Sequence, residues 1–131
     1  MIRPYIRFAG NCEEAFNFYA EAFGGKVEHI SRYDSQPGFE NETVGKVMHA
    51  SVNLMGSGGI DGSDSTDLDL STYNPEIIAH FSSRGQVEEV FAKLSKDAKT
   101  AESFTPHPPP DDGGGGAYIV DKYGVHWMLC A

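Results

Sequence analysis

The sequence predicts an α+β fold made of two modules, each ordered strand, helix, strand, strand, strand. Three observations predict it. A helical apolar stripe follows a short alternating strand near residue 12, a second stripe begins near residue 87, and period-two segments follow each stripe. At 131 residues the chain fits one domain, with modules of about 1–65 and 74–131 and a linker of about 66–73.

Residues 4–9 alternate, with Ile6 and Phe8 on one side and Tyr5 and Arg7 on the other, as a strand does. Asn11 and Glu14 have capping-box spacing. From Cys12, apolar residues at Ala15, Phe16, Tyr19, Ala22 and Phe23 form one helical stripe, and Gly24-Gly25 stops it. Residues 26–33 read as a strand and residues 34–42, with Pro37 and Gly38, as an exposed loop. Over residues 44–54 the alternation places Val44, Met48, Ala50, Val52 and Leu54 on one face, with Val47, His49, Ser51 and Asn53 on the other. A Gly/Ser turn at 56–59 leads to a short strand around Ile60 and Asp61, and residues 63–73 form a polar connector.

The second half repeats this order. Residues 76–82 are strand-like, and Val87, Val90, Phe91 and Leu94 mark a helix. Glu88 and Glu89 near its start and Lys93 and Lys96 near its end suit its dipole. Strands are expected at 99–104, 117–120 and 125–130, with a turn at 121–124. The Pro/Gly tract 106–116 reads as a mobile surface loop. A four-stranded sheet with a helix on one face leaves its other, curled face to line a cleft.

Nineteen acidic against ten basic residues give a net charge of −9, which repels phosphate backbones and argues against a nucleic-acid partner. No apolar run approaches the ~20 residues of a membrane span, so no membrane partner is expected. The opening segment lacks the apolar core of a signal peptide. Cys12 and Cys130 make neither a disulfide framework nor a CxxC site and read as small buried residues in a reducing compartment. A cytoplasmic protein is expected.

Four segments carry a resemblance. Asn11-Cys12-Glu13-Glu14-Ala15-Phe16-Asn17-Phe18-Tyr19 with Phe23-Gly24-Gly25 resembles the opening helix of the PhnB-like branch of the glyoxalase/bleomycin-resistance (vicinal oxygen chelate, dioxygenase) superfamily. Val47-Met48-His49-Ala50, Gly62-Ser63-Asp64 and Asp121-Lys122-Tyr123-Gly124-Val125-His126-Trp127-Met128 resemble its third, fourth and closing strands, in the same order. The resemblance implies paired βαβββ modules, a homodimer, and a divalent ion held from the first, fourth, fifth and eighth strands. Those positions fall near Pro4 or Tyr5, on Asp61, on Ala79 or His80, and on Met128. Proline and methionine suit hard cations poorly, so a complete metal site is not expected and no cofactor is assigned.

Tyr5, Arg7, His49, Ser51, Asp61, His80, His126 and Met128 fall on the faces opposite the expected core and are the candidate cleft residues for a small-molecule ligand. His49, His80 and His126 with Asp61 also offer a rearranged ion site for a metal-dependent lyase, isomerase or dioxygenase. A purely structural protein without a pocket is the third reading. Residues 113–116 lack the pattern of a nucleotide loop, and no nucleophile elbow surrounds Ser51 or Ser57. Cys12 sits where a helix dipole lowers a thiol pKa, though the apolar stripe claims it. The PhnB-like ubiquinone-methyltransferase label lacks a recognisable methyl-donor site here.

Overall fold

The computed structural model describes residues 1–34, 44–110 and 112–131, so most of the loop expected at 34–42 lies outside the described residues. The chain divides into two units, Met1–Leu70 and Ser71–Ala131. The first contains β1 (Tyr5–Phe8), α1 (Cys12–Phe23), β2 (Lys26–Arg32), β3 (Val47–Met55) and β4 (Gly58–Asp64). Its sheet runs β1-β4-β3-β2, with β1 parallel to β4 and the other pairs antiparallel. The second contains β5 (Glu76–His80), α2 (Arg84–Leu94), β6 (Thr100–Pro106), β7 (Gly115–Val120) and β8 (His126–Cys130). Its sheet runs β5-β8-β7-β6, with β5 parallel to β8. The duplicated βαβββ order is the predicted fold.

In the first unit α1 packs on β2, β3 and β4, burying Cys12, Ala15, Phe16, Tyr19 and Ala22 against Ile6, Phe8, Ala50, Val52 and Ile60. Removal of these apolar groups from water is the main stabilising term. Gly24 closes the helix with φ 71°, a left-handed conformation that glycine adopts without a Cβ clash.

Asn11 makes no side-chain cap, contrary to the capping-box expectation. Buried Asp64, from the end of β4, replaces it: Oδ1 accepts from the Cys12 amide at 2.9 Å and Oδ2 from the Val47 amide at 2.8 Å. The expected facing of β3 also fails at its start. Val47 is buried and Met48 exposed, because the register against β2 slips between Ser31 and Arg32. Such a bulge inverts the pleat locally. Ala50, Val52 and Leu54 keep their predicted inward facing. Val44 precedes the strand and is exposed.

In the second unit α2 packs on β6, β7 and β8 and buries Val87, Val90 and Leu94. It starts earlier than the charge pattern suggests. Ser83 and Gln86 form a capping box, so Arg84 leads the helix and its first turn holds no acidic residue. Ala117, Ile119, Trp127 and Leu129 fill the sheet side of this core. Asp121, fully buried, accepts from the Tyr123 and Val125 amides at 2.8 and 3.0 Å and from Trp127 Nε1 at 2.9 Å. It thereby fixes both the β7–β8 turn and the indole.

The Pro/Gly tract is only partly a loop. Pro106 ends β6 and pairs with Gly115, which with Gly116 begins β7. A Cβ at Gly115 would stand 2.5 Å from the Thr105 carbonyl oxygen, so glycine here permits close strand pairing. Asp111 lies outside the described residues.

Candidate site on the helix-free sheet faces

In the first unit Tyr5, Arg7, His49, Ser51 and Asp61 share the face opposite α1. Asp61 is the Cα partner of both Tyr5 and Ser51, and Ser51 in turn faces His29. Tyr5 stacks on His49 with ring centroids 5.8 Å apart, and His29 lies 6.0 Å from the same imidazole. His49 Nε2 is 3.8 Å from Asp61 Oδ2. Arg7 stands one pleat further along, opposite Ser63.

Arg3 completes this cluster and was not a sequence candidate. Its Nε donates to Asp61 Oδ1 at 2.9 Å, Nη1 to Asn53 Oδ1 at 3.1 Å and Nη2 to the Val52 carbonyl at 2.9 Å. The guanidinium crosses the sheet over Gly59, where a Cβ would sit 2.5 Å from Nη2. Only the backbone pairing of β3 with β4 creates this cradle, so no short-range pattern announced it.

His80, His126 and Met128 share the face opposite α2 in the second unit. Met128 is the Cα partner of Ile78 and Tyr118, His126 of Glu76 and Val120, and His80 of Cys130. Tyr118, also missed, joins its hydroxyl to His126 Nδ1, with the rings edge-on at 5.9 Å. The alternation that buries Ala117 and Ile119 already placed Tyr118 beside His126. Cys130 belongs to this half-exposed face, contrary to the expectation that both thiols are buried.

The positions that the resemblance assigned to an ion differ in what they offer. Tyr5 and Asp61 are strand neighbours, but Asp61 Oδ1 is held by Arg3. Ala79 pairs with buried Leu129 and so faces the core side, whereas His80 faces the open side. Among the described residues, no group of three or more His, Cys, Asp and Glu gathers in metal-holding geometry.

A cavity of about 760 Å³ lies elsewhere, at the start of α1, lined by residues including Asn11, Tyr33, Lys46, Asp64 and Ser65. None of the eight candidates lines it. Its Lys46 ammonium donates to the Gly10 carbonyl, and both Asp64 oxygens serve the backbone. Nearby Cys12 is no nucleophile: burial, then the charges of Asp64 and Glu13, push its thiol up to about 12. The helix dipole does not prevail over burial.

The sequence matches, over residues 1–130, the family described as 3-demethylubiquinone-9 3-methyltransferase. The protein PA1353 from Pseudomonas aeruginosa superposes with a TM-score of 0.82 at 26% identity, over 98% of this chain and 95% of that one. A PhnB protein from Bacillus cereus gives a TM-score of 0.76 at 30% identity, over 98% and 96%. A bleomycin-binding protein in complex with bleomycin shares the fold alone, with a TM-score of 0.60 at 12% identity over 99% and 96%. The chain belongs to the PhnB-like family, matched under that methyltransferase description, and shares its fold with glyoxalase/bleomycin-resistance proteins.

Proposed function

We propose that this protein binds a small-molecule ligand on the helix-free faces of its sheets, without a resident metal ion. The observation carrying the reading is the Arg3–Asp61 pair at 2.9 Å, set among Tyr5, His49 and Ser51. A guanidinium bound to a carboxylate already balances its charge and occupies an oxygen that an ion would need. The residues present therefore do not fit a hard divalent ion at this position. Aromatic and apolar groups with a few fixed polar ones make a surface suited to an organic ligand. The bleomycin-bound fold relative supports small-molecule binding as a use of this architecture.

The two modules, about 1–65 and 74–131 with a linker of about 66–73, act in this reading as one domain. The protein works as a cytoplasmic homodimer. Mass in solution tests the dimer, and a monomer would remove it. No helix among the described residues is long and apolar enough to cross a membrane. Methyl transfer is not adopted, because neither strand-to-helix connection, residues 9–11 and 81–83, carries a glycine-rich donor loop.

Elemental analysis of protein purified without chelators tests the reading. Substoichiometric divalent metal is expected, and one tightly held ion per chain would overturn it. The 3.8 Å approach of His49 to Asp61 favours one competitor, a metal-dependent lyase, isomerase or dioxygenase built on Asp61 and histidines. Asp61→Ala with unchanged metal content and activity would remove that alternative.

A further inference from the structure

We infer that Tyr118 is a positioning residue that makes His126 a fixed hydrogen-bond donor, through Nε2–H, for a carbonyl-type oxygen on an apolar ligand. The inference rests on the ligand-binding reading above and concerns the second unit's sheet alone. Through its ring, among the described residues, His126 hydrogen-bonds Tyr118 only. A phenol is a better proton donor than a neutral imidazole, and the pyridine-type imidazole nitrogen is the better acceptor. The Tyr118 hydroxyl therefore donates to Nδ1, which leaves the ring proton on Nε2. That second nitrogen has no partner among the described residues.

The surroundings select the ligand class. Val120 and Glu76 flank His126 as its strand partners, and Tyr118, Met128 and Ile78 form the adjoining row across β7, β8 and β5. Ile78 is 49% exposed, large for an isoleucine on a sheet face. One N–H donor beside an aromatic, thioether and aliphatic strip fits a neutral, flat apolar molecule bearing one acceptor oxygen. With a net charge of −9 and Glu76 alongside, a neutral carbonyl suits this face better than a carboxylate.

Two measurements on the full chain decide it. Imidazole ¹⁵N spectra at alkaline pH are expected to show an Nδ1 shifted by accepting a hydrogen bond and a proton on Nε2. Tyr118→Phe should return Nδ1 to its unbonded position with the fold intact. A protonated Nδ1, or a resonance indifferent to Tyr118→Phe, overturns the dyad. The second measurement titrates 2-acetylnaphthalene and its oxygen-free match, 2-ethylnaphthalene, watching Tyr118, His126 and Met128. The ketone should bind about fivefold more tightly; His126→Phe, which removes the donor, should erase most of that preference, and Tyr118→Phe, which frees the ring to turn, should reduce it. Equal binding of the two probes overturns the donor role. If neither binds this face, the donor role and the ligand reading fall together, whereas the nitrogen shifts judge the dyad separately.

Discussion

Replacing Asp121 by asparagine removes one charge and one acceptor while keeping shape. The wild-type carboxylate is fully buried and takes bonds from two turn amides and from the Trp127 indole. Asparagine has one carbonyl oxygen, which can serve Tyr123 and Val125. Its NH₂ then faces the indole N–H, donor against donor. An unmade buried bond of this kind costs about 2 kcal/mol, and loss of charge assistance at the other two adds about 1 kcal/mol. The expected total of about 3 kcal/mol corresponds to a drop of roughly 10 °C in Tm for a chain of this size. Urea unfolding followed by fluorescence of the single tryptophan reports directly on this packing. Glu102→Gln on the exposed surface is the control and should stay within about 0.5 kcal/mol of wild type. If Asp121→Asn matches that control, the carboxylate is not what organises the turn and the indole.

Thiol chemistry should separate the two cysteines: a disulfide reagent at neutral pH modifies Cys130 in the native protein and reaches Cys12 only on unfolding. Equal native rates would contradict the burial that raises the Cys12 pKa. On α1, the bidentate hydrogen bonds from Arg32 hold the Glu13 carboxyl below the usual carboxylate range, with the guanidinium charge adding to them. A lowered folded-state pKa contributes stability above the ordinary carboxylate range and loses it as pH falls through the folded value. Glu13→Gln should therefore be slightly less stable than wild type at neutral pH, the deficit vanishing in acid. The effect is small because both side chains are exposed. A deficit that grows on acidification would refute the assignment.

Much of this fold was legible because its strands obey period two and its helices carry single apolar stripes. The facing of Tyr5 against Ile6, and of His126 against Trp127, followed from alternation alone. Alternation failed at Met48, where a bulge inverts the pleat, since nothing in residues 44–54 reports the register of β2. Asn11 looked like a cap by spacing, but Asp64 lies 52 residues from the amide it caps. Arg3 was invisible for the same reason, with Asp61 58 positions away. Ser83 and Gln86 did have capping-box spacing, and the acidic pair Glu88 and Glu89 drew the expected helix start away from them. Local periodicity is written into short segments, whereas a site's polar partners are set by which strands become neighbours.

Chemical-shift mapping with a library of small neutral aromatic compounds confronts the central claim most directly, because it asks where this protein accepts a ligand. Perturbations are predicted at Tyr5, His49, Ser51 and Asp61 on one sheet and at His80, Tyr118, His126 and Met128 on the other. Binding confined to Asn11, Lys46 and Ser65, in the cavity at the start of α1, would contradict the account.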